Sequence, residues 1–213
     1  MNYRVLQMAA LGALMFGPAI ARAHPHIFIE TRLVVRTDGA GAVSGVEVQW
    51  TYDELYSMML LDEMGLDQDY DGVLADGEAA ALDGFDMNWQ PGYAGDLYLW
   101  QGDGALELGA PEPLESAYEG GRVVSRHFRH LAAPVSGEVR IKAYDPTFYT
   151  AYDLGGGVDV PEGCEVSVIV ADIKAAQDKA NALIEELGIL NTDVEYPEVG
   201  AEFADEVTVS CGG

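Results

Sequence analysis

Two short stretches of this chain carry residue types at spacings that do chemistry. The first, Asp67 to Glu78, reads DQDYDGVLADGE and puts five acidic side chains into twelve residues. Asp67, Asp69 and Asp71 stand at positions one, three and five of a calcium loop, Gly72 at six and Glu78 at twelve. Calcium takes roughly six to eight hard oxygens. Alternating carboxylates would therefore point inward from a tight turn, with Gly72 permitting the bend, Val73 offering its carbonyl and Glu78 closing the cage with both oxygens. Ala75 at position nine has no ligating side chain, so a water is expected there. The competing reading is a solvated face on an acidic chain, the usual meaning of a charge run. The match at four acidic positions plus Gly72, with helical sequence before and after, favours calcium. Only one such loop is visible where EF-hands normally pair, so the expectation is a structural ion and not a sensor.

The second stretch is HPHIF, beginning at His24. Residues 1–23 read as a secretory signal peptide: Arg4 in a short leading region, an apolar run from Val5 to Ile20, then Ala21-Arg22-Ala23 as a small-x-small cleavage site. Gly17 and Pro18 interrupt the run, which is shorter than the roughly 20 residues a bilayer span requires. Cleavage after Ala23 would make His24 the first residue and give it a free α-amine. His24 and His26 lie two apart, so in an extended segment both imidazoles project to one face. Neutral imidazoles suit zinc, nickel, cobalt and copper. Pro25 has no backbone N–H, which excludes the square-planar copper site of an X-X-His terminus and leaves side-chain ligation. The bland alternative is a polar strand start. His127 and His130, in SRHFRHL, are three apart on opposite faces of a strand, so at most one could join the pair, and surface positions are expected for both.

The elements that must hold these sites follow from periodicity. HPHIFIETRLVVRTD alternates with period two, turns at DGAGAVSG and returns as VEVQWTY, a hairpin with Ile27, Ile29 and Leu33 on one face. The period then changes: DELYSMMLLDEMG places Leu55, Met58, Met59 and Leu61 at helical spacing, and EAAALDGF starts a second helix beyond the acidic loop. Helix, loop and helix span about 53–85. Strands are expected near DLYLWQ, ALELGA, RVVSRHFRHL, EVRIKAYDP, FYTAYDL and CEVSVIV, with a final one at EVTVSC. Asp172 can cap one late helix whose Ile173, Ala176, Ala180, Leu183, Ile184 and Leu187 form an apolar stripe suited to packing on a sheet. The fold class is therefore α+β and mainly β: an antiparallel sandwich-like single domain over 24–213, with an EF-hand-like insertion and one C-terminal amphipathic helix.

Composition narrows the partners. Eleven basic residues against 36 acidic ones give a net charge of −25, and removing Arg4 and Arg22 with the leader makes the mature chain more acidic still. Phosphates repel such a surface, so nucleic acid is excluded, as are anionic membrane surfaces. Beyond the leader no hydrophobic segment is long enough for stable membrane insertion. An exported location makes Cys164 and Cys211 a disulfide pair, closing a loop that stabilises the fold by about 4 kcal/mol on the chain-entropy relation. Nothing in the sequence marks an enzyme. There is no Gly-x-Ser-x-Gly elbow, no His-Glu-x-x-His and no phosphate-binding glycine loop, and a copper enzyme built on His24 would need a third nitrogen from His127 or His130.

HPHIFIE directly after the leader, the aspartate-rich loop after the first helix, YDPTFY at Tyr144 to Tyr149 and the terminal VTVSC together resemble a bacterial periplasmic family, domain of unknown function 1007. That family is described as the periplasmic component of an uncharacterised ABC-type transport system. The resemblance covers nearly the whole mature chain, and the calcium-loop match is fuller than it requires. It implies a periplasmic accessory or solute-binding protein for a nickel, cobalt or zinc transporter of the inner membrane, and makes Asp145 a candidate third ligand beside His24 and His26. A calcium-stabilised structural or interaction module without a transport role is the alternative. The chain is too short and too rich in strand for a classical two-lobed binding protein.

Overall fold

A computed structural model describes residues 24–212. The signal peptide expected over 1–23 lies outside the described residues. Eleven strands and four helices follow one another as β1 (Ile27–Thr37), β2 (Val43–Tyr52), α1 (Glu54–Met64), α2 (Asp76–Ala79), β3 (Leu97–Gln101), β4 (Gly104–Leu106), β5 (Glu112–Pro113), β6 (Ala117–Glu119), β7 (Arg122–Val135), β8 (Gly137–Ala143), β9 (Thr150–Asp159), β10 (Glu165–Ile169), α3 (Ile173–Leu187), α4 (Gly200–Phe203) and β11 (Glu206–Cys211).

They build two sheets. One runs β5-β7-β2-β1-β9, with β6 also paired to β7, and the other runs β10-β11-β8-β3-β4. Period-two patterning decides which faces meet, since alternate side chains point the same way. Leu33, Val35, Val46 and Val48 of the first sheet share a core with Leu97, Leu99, Val139, Ile141, Val207 and Val209 of the second. Fully burying each such side chain contributes about 1.5–3 kcal/mol. The mainly β, two-sheet class read from the sequence is the class observed. One pairing departs from antiparallel: β9 returns beside β1 in parallel, which the alternation of either strand alone does not reveal.

Two helix faces differ from the expected ones. In α1, Leu55, Met58 and Met59 are exposed, while Ser57 and Leu61 are buried. Hydrogen bonds set that rotation. Asp53 caps the helix by accepting from Tyr56 N at 2.9 Å and also accepts from Phe28 N at 3.0 Å. Ser57 Oγ accepts from Val123 N at 2.9 Å, which turns a polar residue inward. In α3, capped by Asp172 as expected, Ala176 and Ala180 are buried but Ile173 and Leu187 are exposed. The helix does not lie on a sheet. Its small face packs with Val199 and Phe203 in a second core that Phe148, Leu183 and Tyr196 complete. Phe148 stacks on Phe203 at 3.8 Å between ring centroids, so this satellite core ties the YDPTFY turn to the C-terminal segment.

The disulfide between Cys164 and Cys211 is present and joins the ends of neighbouring strands β10 and β11. Among the described residues no helix is long and apolar enough to cross a membrane.

Candidate metal centre

His24 and His26 lie just ahead of β1, outside any strand, yet their rings meet at 5.0 Å between centroids and almost perpendicular. Three neighbours hold them there. The His26 backbone N donates to Tyr149 O at 2.8 Å, and the Tyr149 ring stacks on His26 at 4.6 Å. Tyr196 lies 4.2 Å from His24, centroid to centroid. His24 Nε2 contacts the Thr192 carbonyl at 2.8 Å. A carbonyl only accepts, so Nε2 is the donor here, and in the neutral ring Nδ1 keeps a free lone pair. That Nδ1 is buried and has no hydrogen-bond partner. A metal-binding histidine is typically oriented in this way, by donating its other nitrogen to a backbone carbonyl. The segment carrying Thr192 and Tyr196 follows α3, so the satellite core is what positions it.

Asp145 is placed beside this site but does not close on it. Its Oδ1 accepts from Thr147 N at 2.8 Å and Thr147 Oγ1 at 2.9 Å, and its Oδ2 accepts from Thr150 N at 3.1 Å. Both oxygens are engaged in shaping the turn that presents Tyr149. The same turn is locked from behind: Gly200 N donates to Pro146 O at 2.9 Å, and a side chain at Gly200 would overlap the Asp145 carbonyl.

The remaining histidines sit elsewhere. His127 is not a surface residue: it is fully buried, 4.8 Å from the Trp50 ring and 5.5 Å from Trp89. The reason is register. His127 pairs with Val48 across from β2, whose inward residues form the core. Burial pushes its pKa down to about 3, with Arg129 adding to the effect, and neither ring nitrogen finds a partner. His130 is exposed, with Nε2 3.3 Å from Glu112.

The acidic loop is assembled in part. Ligand oxygens of Asp67, Asp69 and Asp71 lie within 4.8 Å of one another, the one such set of three or more His, Cys, Asp or Glu among the described residues. Asp67 is buried, with positive φ, and accepts from Gly72 N at 3.2 Å, while Gly72 itself takes the left-handed conformation the tight bend demands. Glu78 stands outside this set. Its Oε2 accepts from Ala75 N at 2.9 Å and so caps the short helix α2. Leu74 packs against the main core, docking the loop on the body.

Next to the histidine pair, a cavity of about 730 Å³ opens between the first sheet and the loop over 86–96, and Asp145, Pro146 and Thr147 form part of its wall. Sequence reasoning missed Asp86 and Asp96, two of the four acidic residues on its wall. Asp86 accepts from Tyr52 Oη at 2.8 Å and Ser125 Oγ at 2.6 Å; Asp96 accepts from Tyr93 Oη at 2.7 Å and Tyr152 Oη at 2.8 Å. Desolvation raises both carboxyls, that of Asp96 to about 6 against the opposing pull of its two tyrosine hydrogen bonds. The aromatic density of FDMNWQPGYAGDLYLW was the available signal, though 36 acids along the chain hide any two.

Fold and site together define a two-sheet β protein with an imidazole pair at the head of its first strand and an acidic loop after its first helix. Over residues 9–211 the chain matches the family described as a protein of unknown function (DUF1007), and it belongs to that family. No curated protein matches it.

Proposed function

We propose that the chain is an exported, periplasmic metal-handling protein, an accessory or solute-binding component that takes up a transition-metal ion at His24 and His26 and passes it to an inner-membrane transporter. The observation that carries this reading is His24: its Nε2 is committed to Thr192 O, and its Nδ1 lone pair is buried, unpartnered and beside a second imidazole. Zinc, nickel, cobalt and copper all accept such nitrogens. Signal cleavage before His24 would add the α-amine as a third nitrogen donor. Asp145 serves by holding the turn that carries Tyr149 and the carbonyl to which His26 is tied. The test is elemental analysis of the natively cleaved, untagged protein. Wild type is expected to retain one equivalent of zinc, nickel or copper after gel filtration, and the His24→Ala/His26→Ala protein none, with unchanged circular dichroism. Stoichiometric metal in the double variant would sink the assignment.

The Asp67, Asp69 and Asp71 set supports a second, structural ion at the acidic loop. Three carboxylates at that separation repel one another, and calcium removes the repulsion. With an affinity typical of extracellular calcium modules, about 10 mM calcium should raise stability by about 1.5–2.5 kcal/mol, or roughly 3–10 °C in Tm. Asp69→Ala/Asp71→Ala should abolish that increment. These two exposed residues leave the strained Asp67 backbone untouched. A calcium effect with no change in metal-limited growth when the two histidines are removed would favour the purely structural module.

A further inference from the structure

The cavity beside the histidine pair has a chemistry of its own. Four carboxylates line it, those of Asp86, Asp96, Asp145 and Glu198, and no lysine, arginine or histidine does. Asp145 is spent on its own turn and Glu198 is exposed. Asp86 and Asp96 are different. Each receives two hydroxyl donors on Oδ2, while Oδ1 is buried and has no partner. Asp96 is only 5% exposed. A buried carboxylate oxygen left unpaired is unfavourable, and both residues line the one cavity, so the pair calls for a donor from outside.

The cavity wall says what kind. Trp50, Trp89 and a set of tyrosines present aromatic surface around the two acids. Aromatic faces attract cations, most strongly where water is excluded. A bare metal ion does not fit this wall. Neither Asp86 nor Asp96 belongs to a set of three His, Cys, Asp or Glu ligand atoms within 4.8 Å, and no thiol or imidazole lines the cavity. Its volume of about 730 Å³ is in the range of small-molecule sites. We infer that this cavity binds a small organic cation, an amine or guanidinium compound with an apolar body, whose N–H groups donate to the free Oδ1 atoms of Asp86 and Asp96 while its body packs on the aromatic wall. Glu198, exposed at the cavity, adds negative potential that draws a cation in. This site is separate in chemistry from the imidazole pair, though the 145–150 turn borders both.

Trp50 and Trp89 provide the readout. Titration of the whole mature protein with benzylamine at pH 7.5 and constant ionic strength should change tryptophan fluorescence saturably. Benzyl alcohol, which has nearly the same shape and no charge, should bind at least tenfold more weakly. Asp86→Asn and Asp96→Asn should each weaken benzylamine at least tenfold, and agmatine should compete with it. Equal binding of benzyl alcohol would overturn the inference by making the cavity merely apolar. It would also be overturned if neither benzylamine nor agmatine saturated, or if zinc occupied the cavity and displaced benzylamine. Should one asparagine variant fail to fold, the other variant and the comparison of the two probes on wild type still decide the matter.

Discussion

Replacing both cysteines, Cys164→Ser with Cys211→Ser, is expected to lower the free energy of unfolding by about 4 kcal/mol and Tm by roughly 8–16 °C. The bridge spans 47 residues, and closing a loop of that length removes about this much chain entropy from the unfolded state. Set against the 5–15 kcal/mol that typically holds a domain together, the loss is large. The location makes it larger in consequence. Cys164 leads into β10, an edge strand whose five residues are all exposed and which touches the sheet through β11 alone. Between the two cysteines lie α3 and every member of the satellite core but Phe148, together with Thr192. Urea denaturation of the double variant measures the global term. Hydrogen exchange should show β10 and α3 opening well before β1 and β2. A loss below about 1 kcal/mol, with β10 exchanging as slowly as before, would contradict this account. Because Thr192 O orients His24, the same variant also bears on the proposed imidazole site: a transition metal taken up there should be held less tightly than by wild type.

How much of this was legible beforehand depended on whether the cause was local. Strands were readable because period-two alternation is written into consecutive residues: of the face read as Ile27, Ile29 and Leu33, the last two are buried and Ile27 is half-buried against the same core. The caps at Asp53 and Asp172 and the Cys164–Cys211 bridge needed only short-range chemistry or a count. What was not readable came from pairing between distant segments. Nothing in SRHFRHL states that β7 lies against β2 with His127 opposite Val48, which is what buries that histidine. The rotation of α1 depends on Val123, 66 residues from the Ser57 that accepts its N–H. Of the sites, the HPH pair and the three aspartates were visible as spacing. The Thr192 contact, which singles out one nitrogen of His24, was not, being formed across 168 residues. Asp86 and Asp96 were invisible for the same reason: each acquires its meaning from hydroxyls that distant strands bring in, Tyr52 and Ser125 for Asp86 and Tyr152 for Asp96.

Asp96 is where site and stability can be separated by pH. Burial raises its carboxyl from 3.8 to about 6 in the folded protein. Between those two values the folded state holds a proton that the unfolded state has released, so this group's contribution to stability falls as pH rises through the window, and stays lower above it. Moving a carboxyl from 3.8 to about 6 corresponds to about 3 kcal/mol. His127 works in the opposite direction: with its pKa held near 3, the unfolded state takes up a proton first, and stability drops as pH falls below about 6.5. The comparison must therefore cancel His127 and the other carboxylates, and Asp96→Asn does so. Asparagine tolerates the left-handed backbone at this position, and its carbonyl can still accept from Tyr93 and Tyr152. The stability of wild type relative to Asp96→Asn should fall by about 2.5 kcal/mol between pH 4 and pH 7.5, measured by urea denaturation at each pH. A gap that does not move with pH would mean that Asp96 ionises as freely in the fold as outside it. Around this carboxyl stand Tyr93, Tyr98, Tyr144 and Tyr152, and the like charge of Asp145 resists its ionisation. Asp86 and Glu198 share its cavity, and no basic side chain lines it. A bound organic cation would supply the missing positive charge. Saturating benzylamine should then restore part of the wild-type stability at pH 7.5 and leave Asp96→Asn nearly unaffected, because a ligand stabilises only the form that binds it. A carboxylate held ionised at neutral pH against that cost is what a cation-binding site requires, and the same charge serves no evident purpose in an apolar core.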